Sequence, residues 1–444
     1  MASLILVEIL ASGEALTRRK GIILFQIVFV SANLIFGQTL RLPLYFGWTD
    51  VMGHMHSIET ILETGRVTSA LGIDYQYFPN FYIFGATGTM LSGMSLQTSY
   101  FALCGLLFLV SIPVVYLLVS QVTRNVYLPL VTALLYSQSR EVIFNGMYAT
   151  PRAMAFVFCL VILYLLIRGR TNWKLRAVAV FLVVPLVLMH QTTLLHFSAI
   201  LIVLVIIELI LHRRSWYIGL NYSMFFTFAY LGYWLWLCYP FLSKTIIDAY
   251  SAITMTHIPS SSMERTVFAT FTANADLTAI AFLAIVGVVS LLHRNRELVT
   301  VGTVFSLFSL VAFLLYFPGP LGFLPGMFES NRLPLLVSPF IAFAAAGGLL
   351  LLVRQLPTDG RHWKSIIGIG ITLCLVFFLS LSSTVILGNS TDLNLGKVLG
   401  NTDRQYFTES ELAAFSYSYE HGQNIPYYGD YESLRYMGDY FGMT

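Results

Sequence analysis

Six titratable side chains crowd one short stretch of an otherwise apolar chain: Phe46-Gly-Trp-Thr-Asp50-Val-Met-Gly-His54-Met-His56-Ser-Ile-Glu59-Thr-Ile-Leu-Glu63-Thr-Gly-Arg66. Helical spacing puts Asp50, His54 and Ile58 on one face, and Gly65 supplies a stop. A carboxylate here can take the proton of an acceptor hydroxyl, which makes Asp50 a candidate general base. The competing role is an N-cap, in which Asp50 satisfies orphan backbone donors. His54 and His56 are two apart and do not share a face; both are candidates to hydrogen-bond a phosphate. Asp50 and His54 could share a divalent metal, although a lone Asp/His pair is a weak metal signal. Glu59, Glu63 and Arg66, spaced four and three apart, fit a solvated helix face.

Cations that could meet an anionic substrate lie further along. Arg140-Glu141 and Asn145-Gly-Met-Tyr148-Ala-Thr-Pro151-Arg152 bracket a short connector. Arg140 and Arg152 could each meet a phosphate or anchor the chain at a membrane interface, and Pro151 suits the first position of a helix. His190-Gln-Thr-Thr-Leu-Leu-His196 joins two apolar runs, where polar side chains face a cavity or a partner. Glu329-Ser-Asn331-Arg332-Leu-Pro334 opens a late apolar run. Arg332 has the forked donors that match a phosphate, against the alternative of a salt bridge to Glu329. A connector at 241–272 holds Lys244, Asp248, His257, Glu264 and Arg265 without a periodic pattern. Trp234, Trp236 and Tyr239 could line a lipid groove or form an interfacial aromatic belt.

The elements that must position these groups are membrane helices. The chain has 444 residues, of which 57% are hydrophobic and only 11% charged, against roughly a quarter charged in soluble domains. Its apolar runs near 20 residues predict a polytopic all-α membrane protein. The four cysteines all fall inside such runs and read as small buried hydrophobes. Spans are predicted at 21–38, 99–120, 126–139, 150–167, 175–190, 194–211, 217–240, 273–292, 298–317, 332–353 and 365–387, about 11 in all. Met1–Leu10 is apolar but lacks the basic start of a cleaved signal, so the first span serves as an uncleaved anchor.

Basic connectors favour the cytoplasm. Arg18-Arg-Lys20, Arg168-Gly-Arg170, Lys174-Leu-Arg176 and Arg213-Arg214 then lie inside, with the N-terminus. That parity requires the short stretch Phe78–Leu91, which opens with Pro79-Asn80 and carries two glycines, not to cross. It becomes part of a first external loop over 39–98. Asp50, Arg140, His190 and Arg332 all come to the outer face, and Asp50 is expected in an outward-facing cavity bounded by the other three. Residues 1–387 form the membrane module. The segment 388–444 is a polar, tyrosine-rich external tail in which Phe407-Thr-Glu-Ser-Glu411 reads as a capped helix start.

A cytoplasmic N-terminus, one span and a large first external loop with an early Asp50 resemble the GT-C superfamily of membrane glycosyltransferases. That superfamily includes the protein O-mannosyltransferases, the aminoarabinose transferases and the oligosaccharyltransferases. Tyr77-Phe-Pro79-Asn80 is similar to the Tyr-Pro-Pro segment of that loop. The short run 126–139 followed by Arg140 resembles the second-loop region, and Glu329-Ser-Asn-Arg332-Leu-Pro334 resembles the late Arg-bearing segment. Asp50 has no acidic neighbour, unlike the Asp-Glu of the mannosyltransferases and the Asp-x-Asp of the oligosaccharyltransferases. The resemblance implies inverting transfer of a sugar from a polyprenyl- or dolichyl-phosphate to an external glycan, lipid or protein acceptor. Asp50 would be the base and His54, His56, Arg140, His190 and Arg332 the phosphate-binding candidates. Membrane lipids are expected partners and nucleic acid is not. The alternatives are a transporter or flippase of lipid-linked sugars and a non-catalytic binding relative.

Overall fold

A computed structural model describes residues 1–41, 50–68, 75–211, 218–254, 267–294, 301–316, 333–354, 370, 407–421, 433–434 and 437–438. Within these the chain is helical. Six helices are long and apolar enough to cross a membrane, or seven if one bent pair counts as a single span, and the protein is a multi-pass membrane protein. The expected span 365–387 lies outside the described residues, apart from the single residue 370.

The N-terminal half builds the surroundings of Asp50. Helix α1 (Ala2–Ala11) buries Ile5, Leu6 and Ile9 and packs on α2 (Leu16–Arg41) and on α7 (Tyr127–Ser137). Helix α3 (Asp50–Thr64) ends where Gly65 takes a left-handed φ of 66° and its N–H bonds the Ile61 carbonyl at 2.8 Å, a conformation glycine adopts without a Cβ clash. Helix α4 (Asn80–Ser92) follows and has 13 residues. At 1.5 Å per residue that is about 20 Å, short of a hydrocarbon core of roughly 30 Å. Its start is tied to a distant segment: the Asn80 backbone N–H donates to the Leu188 carbonyl and its side-chain amide to the Pro185 carbonyl, both at 3.0 Å.

The expected 99–120 span is two nearly continuous helices, α5 (Leu96–Leu109) and α6 (Ser111–Val122). Pro113 has no N–H to give the Leu109 carbonyl and its ring crowds that group, which accounts for the break at Val110. Two expected spans come out shorter. Helix α7 has only 11 residues, every one from Leu128 to Ser137 buried, and is a core helix by length. The run 175–190 divides into α10 (Trp173–Phe181) and α11 (Val183–Val187); Pro185 stands four residues after Phe181 and removes the bond that would join them. The connector expected at 140–149 is itself a helix, α8 (Arg140–Tyr148), leading into α9 (Pro151–Arg168). Pro151 holds the first helical position, as its lack of an N–H favours.

Downstream come α12 (Gln191–Ile210), α13 (Leu220–Trp236), α14 (Tyr239–Thr254), α15 (Val267–Arg294), α16 (Val301–Tyr316) and α17 (Leu333–Arg354). The connector expected over 241–272 is therefore largely helix: α14 covers its start and α15 begins at its end. Helices α15 and α17 approach so closely that a Cβ on Gly287 would sit 1.7 Å from the Ala344 carbonyl oxygen, and one on Gly348 2.1 Å from that of Leu283. Small residues permit this contact, as they do between membrane helices generally. In the tail, α18 (Glu409–His421) begins with the expected reciprocal cap: the Thr408 N–H donates to the Glu411 carboxylate at 2.8 Å, and the Glu411 N–H to the Thr408 hydroxyl at 3.4 Å.

Candidate active site

A polar cavity of about 240 Å³ is lined by Asp50, His54, Tyr75, Tyr148, Thr150, Pro151, Arg152 and His190. Four candidates from three parts of the sequence thus meet: Asp50 and His54 on α3, Arg152 in the first turn of α9, and His190 at the start of α12. The four-residue spacing does what helix geometry requires and turns both α3 side chains into one space.

Asp50 stands in the first turn of α3, where the helix dipole favours a negative charge. Its carboxylate is exposed and accepts a hydrogen bond from the Tyr148 hydroxyl at Oδ2. Burial raises the Tyr148 pKa far above that of a free phenol, and the Asp50 carboxylate raises it further. The phenol therefore remains a donor and Asp50 the acceptor.

Tyr148 reaches Asp50 because of the backbone that follows it. Ala149 has φ 51° and ψ 42°, and it is the one non-glycine with positive φ among the described residues. For an L-residue with a Cβ this costs about 1 kcal/mol. The Tyr100 hydroxyl donates to the Ala149 carbonyl at 2.7 Å and holds the turn. Thr150 is extended, as a residue before proline prefers, and the chain enters α9 with Thr150, Pro151 and Arg152 facing the cavity. The strained residue thus aims Tyr148 at the carboxylate on one side and a guanidinium at a helix N-terminus on the other. Both the charge and the dipole there favour an anion.

His54 is buried in an aromatic box. Its Nδ1 lies 3.0 Å from the Tyr82 hydroxyl, and the rings of Tyr75, Phe81 and Tyr82 pack around it with centroids 5.4 to 5.8 Å away. Burial lowers its pKa to about 4, against an opposing pull from Asp50, so His54 is neutral at neutral pH. His190 caps α12, its Nδ1 accepting the Thr193 backbone N–H at 3.3 Å. A nitrogen that accepts carries no proton, so neutral His190 bears its proton on Nε2 and is a donor there.

Two other candidates lie elsewhere. His56 is half-exposed, with Nδ1 3.9 Å from a Glu59 carboxylate oxygen, and does not line the cavity. Arg140 is bound through Nε at 3.1 Å and Nη2 at 2.7 Å to the buried Asp276 of α15. Arg332 lies outside the described residues. Glu141 links the two regions electrostatically: burial raises its pKa, the Arg140 and Arg152 guanidiniums oppose the rise, and Asp276 adds to it. As for a metal, no group of three His, Cys, Asp or Glu side chains comes together among the described residues. Asp50 and His54 alone fall short of the three protein ligands a catalytic zinc normally takes.

A larger cavity, about 670 Å³, lies between α7, α15 and α17 and is mostly apolar, with His293 the one titratable lining group among the described residues. It begins near Ile285, more than 10 Å along α15 from Asp276 by helix rise, and offers no acid–base pair.

No family model matches the chain, and no curated protein matches it in sequence. Solved structures do resemble it. The apo oligosaccharyltransferase of Archaeoglobus fulgidus superposes with a TM-score of 0.64 at 9% identity, over 95% of this chain and 64% of that one. The same organism's oligosaccharyltransferase AglB, in complex with an inhibitory peptide and a dolichol-phosphate, gives 0.61 at 10% identity, over 96% and 64%. ArnT from Cupriavidus metallidurans, bound to undecaprenyl phosphate, gives 0.52 at 12% identity, over 98% and 85%. The chain thus spans just under two thirds of the length of the archaeal enzyme. The arrangement of helices is the GT-C fold of these membrane glycosyltransferases.

Proposed function

We propose that this protein is an inverting glycosyltransferase that moves a sugar from a polyprenyl- or dolichyl-phosphate to an acceptor hydroxyl on the outer face of the membrane. The observation that carries this reading is the meeting of Asp50, Arg152 and His190 in one polar cavity. A base, a fixed cation and a neutral donor are what transfer from a lipid phosphate needs. Two of the solved structures with this fold hold a dolichol-phosphate and an undecaprenyl phosphate, which supports the donor class.

In this reading Asp50 takes the proton of the acceptor hydroxyl as its oxygen attacks the anomeric carbon. The bond from that carbon to the phosphate oxygen breaks on the opposite face, which inverts the configuration. The lipid phosphate leaves with the bonding pair. Arg152 and the N-terminal end of α9 stabilise the charge it gains, with the His190 Nε2–H as a further donor. Tyr148 fixes the rotation of the carboxylate. No step is routed through a metal.

Sidedness rests on α9. Its first turn lines the cavity and its last residue, Arg168, begins the basic run Arg168-Gly-Arg170 to Arg176. Basic connectors favour the cytoplasm, which supports an outward-facing cavity and Asp50.

The test is incubation of the purified, lipid-reconstituted protein with a panel of polyprenyl-phosphate sugars and simple acceptors. Sugar transfer with inverted anomeric configuration by NMR is expected. Transfer with retention, or none from any lipid-phosphate donor, would reject the reading.

A further inference from the structure

Helices α13 and α14 meet at 93° across a short break. Pro240, second in α14, has no N–H for the Trp236 carbonyl, so the chain cannot continue as one rod. At 17 residues α13 is about 25 Å long and nearly sufficient to cross the hydrocarbon core by itself. A helix turned through a right angle at the end of such a span runs along the membrane surface.

The two sides of the elbow differ. On the protein side Phe241 is buried against Phe78 and Trp234, with ring centroids 5.2 and 5.6 Å away, and the Tyr233 hydroxyl donates to the Tyr77 carbonyl. On the other side Tyr239, Ile246 and Ile247 are 62%, 59% and 63% exposed, and Trp236 at the bend is 87% exposed. Tyr239 and Ile246 are seven residues apart and Ile247 is adjacent, so the three form one stripe along α14. Trp and Tyr concentrate at the headgroup level of bilayers, and aliphatic side chains on a surface-lying helix bury in the acyl boundary.

We propose that α14 is an interfacial helix, lying in the plane of the bilayer with the Tyr239–Ile246–Ile247 stripe inserted into the lipid of the leaflet that borders the cavity. The occupant is the lipid surface because the stripe continues directly from the end of a spanning helix. The inner side of the elbow grips Tyr77 through Tyr233 of α13 and Phe78 through Phe241 of α14, two and three residues from the cavity-lining Tyr75. The elbow thereby fixes one wall of the cavity at headgroup depth, whatever reaction takes place there.

Depth-resolved tryptophan quenching tests this on the full chain in lipid nanodiscs. Trp236→Phe removes the native reporter at the bend, and in that background Ile247→Trp and Tyr239→Trp each add one on the stripe. The emission gained from either is expected to be lost in lipids brominated near the glycerol end of the acyl chains and largely kept in aqueous acrylamide. Both positions should report the same shallow depth, since a helix parallel to the surface keeps its stripe level. Quenching of Ile247→Trp at a markedly deeper bromine position would make α14 a re-entrant segment and overturn the proposal. Quenching by acrylamide alone would place the stripe in water, and protection from both reagents would show it covered by protein; either also overturns it. Ile246→Trp serves if one of the other variants does not fold.

Discussion

Asp50 opens α3 and Asp276 lies inside α15, and the structure surrounds the two aspartates in opposite ways. Asp276 is buried and clasped by two nitrogens of Arg140. Its charge is cancelled by a partner that cannot deprotonate, and it has no access to a substrate. Asp50 is exposed to a cavity and held by a neutral phenol. A phenol orients a carboxylate without forming an ion pair with it, which is the arrangement the proposed base requires. The choice of partner decides whether a carboxylate here is locked in an ion pair or left open to the cavity.

The largest effects should come from breaking the structural member. Removing one partner of a buried ion pair typically costs 3–5 kcal/mol; with the Arg140 side chain 21% exposed, Asp276→Ala should cost about 3 kcal/mol. Thermal unfolding in detergent should register this as a clear loss of stability. Arg140→Met with Asp276→Leu should cost less than either single change, because no charge is stranded. If the single variants unfold like wild type, the pair is not structural and the contrast with Asp50 fails.

Next is the neutral histidine beside Asp50. The folded pKa of His54, about 4, lies below the ordinary 6.5, so between those values the unfolded chain binds the extra proton. Stability contributed by neutral His54 is fully present above pH 6.5, falls as pH drops, and stops falling below about 4. The span corresponds to on the order of 3 kcal/mol. Melting curves from pH 7 to 4 should show this decline, and His54→Asn should flatten it; an unchanged slope in the variant would mean the proton goes elsewhere.

Substitutions at Arg152 and Tyr148 sharpen the role of the cavity. Arg152→Ala should lower the single-turnover transfer rate by about 10²-fold, the usual effect of deleting one donor to developing charge, with Arg152→Lys retaining part of it. Arg140→Lys, by contrast, should act on stability more than on rate. Tyr148→Phe should have the smallest effect, roughly 10-fold, the worth of one hydrogen bond to a charged group. A wild-type transfer rate in the variant would reduce Tyr148 to packing.

Much of this site could be read in the sequence because charge is scarce. In a chain that is 11% charged, Asp50, His54 and His190 stand out, and the four-residue spacing alone faces the first two together. Gly65, Pro151 and Thr408 mark helix ends through local backbone chemistry, which needs no tertiary knowledge. Arg140 could not be placed, since the residue that claims it is 136 positions away and is a single acidic residue within an apolar run. Tyr148 and Tyr75 were missed as site residues because tyrosine in a membrane protein usually marks an interface. Only the left-handed Ala149 turn reveals that Tyr148 points at Asp50, and alanine gives no sign of it. The short helices α7, α10 and α11 show the limit of hydropathy: it registers apolar runs, but Pro185 and burial on every side decide how long a helix they make.

The most direct measurement is the single-turnover transfer rate of Asp50→Asn, from a polyprenyl-phosphate sugar accepted by wild type, with lipid-phosphate binding measured on the same preparation. The account predicts a rate lower by about 10³-fold, within the range for loss of a general base, with binding and thermal stability close to wild type. A variant that binds and transfers at the wild-type rate would contradict it and remove Asp50 as the base.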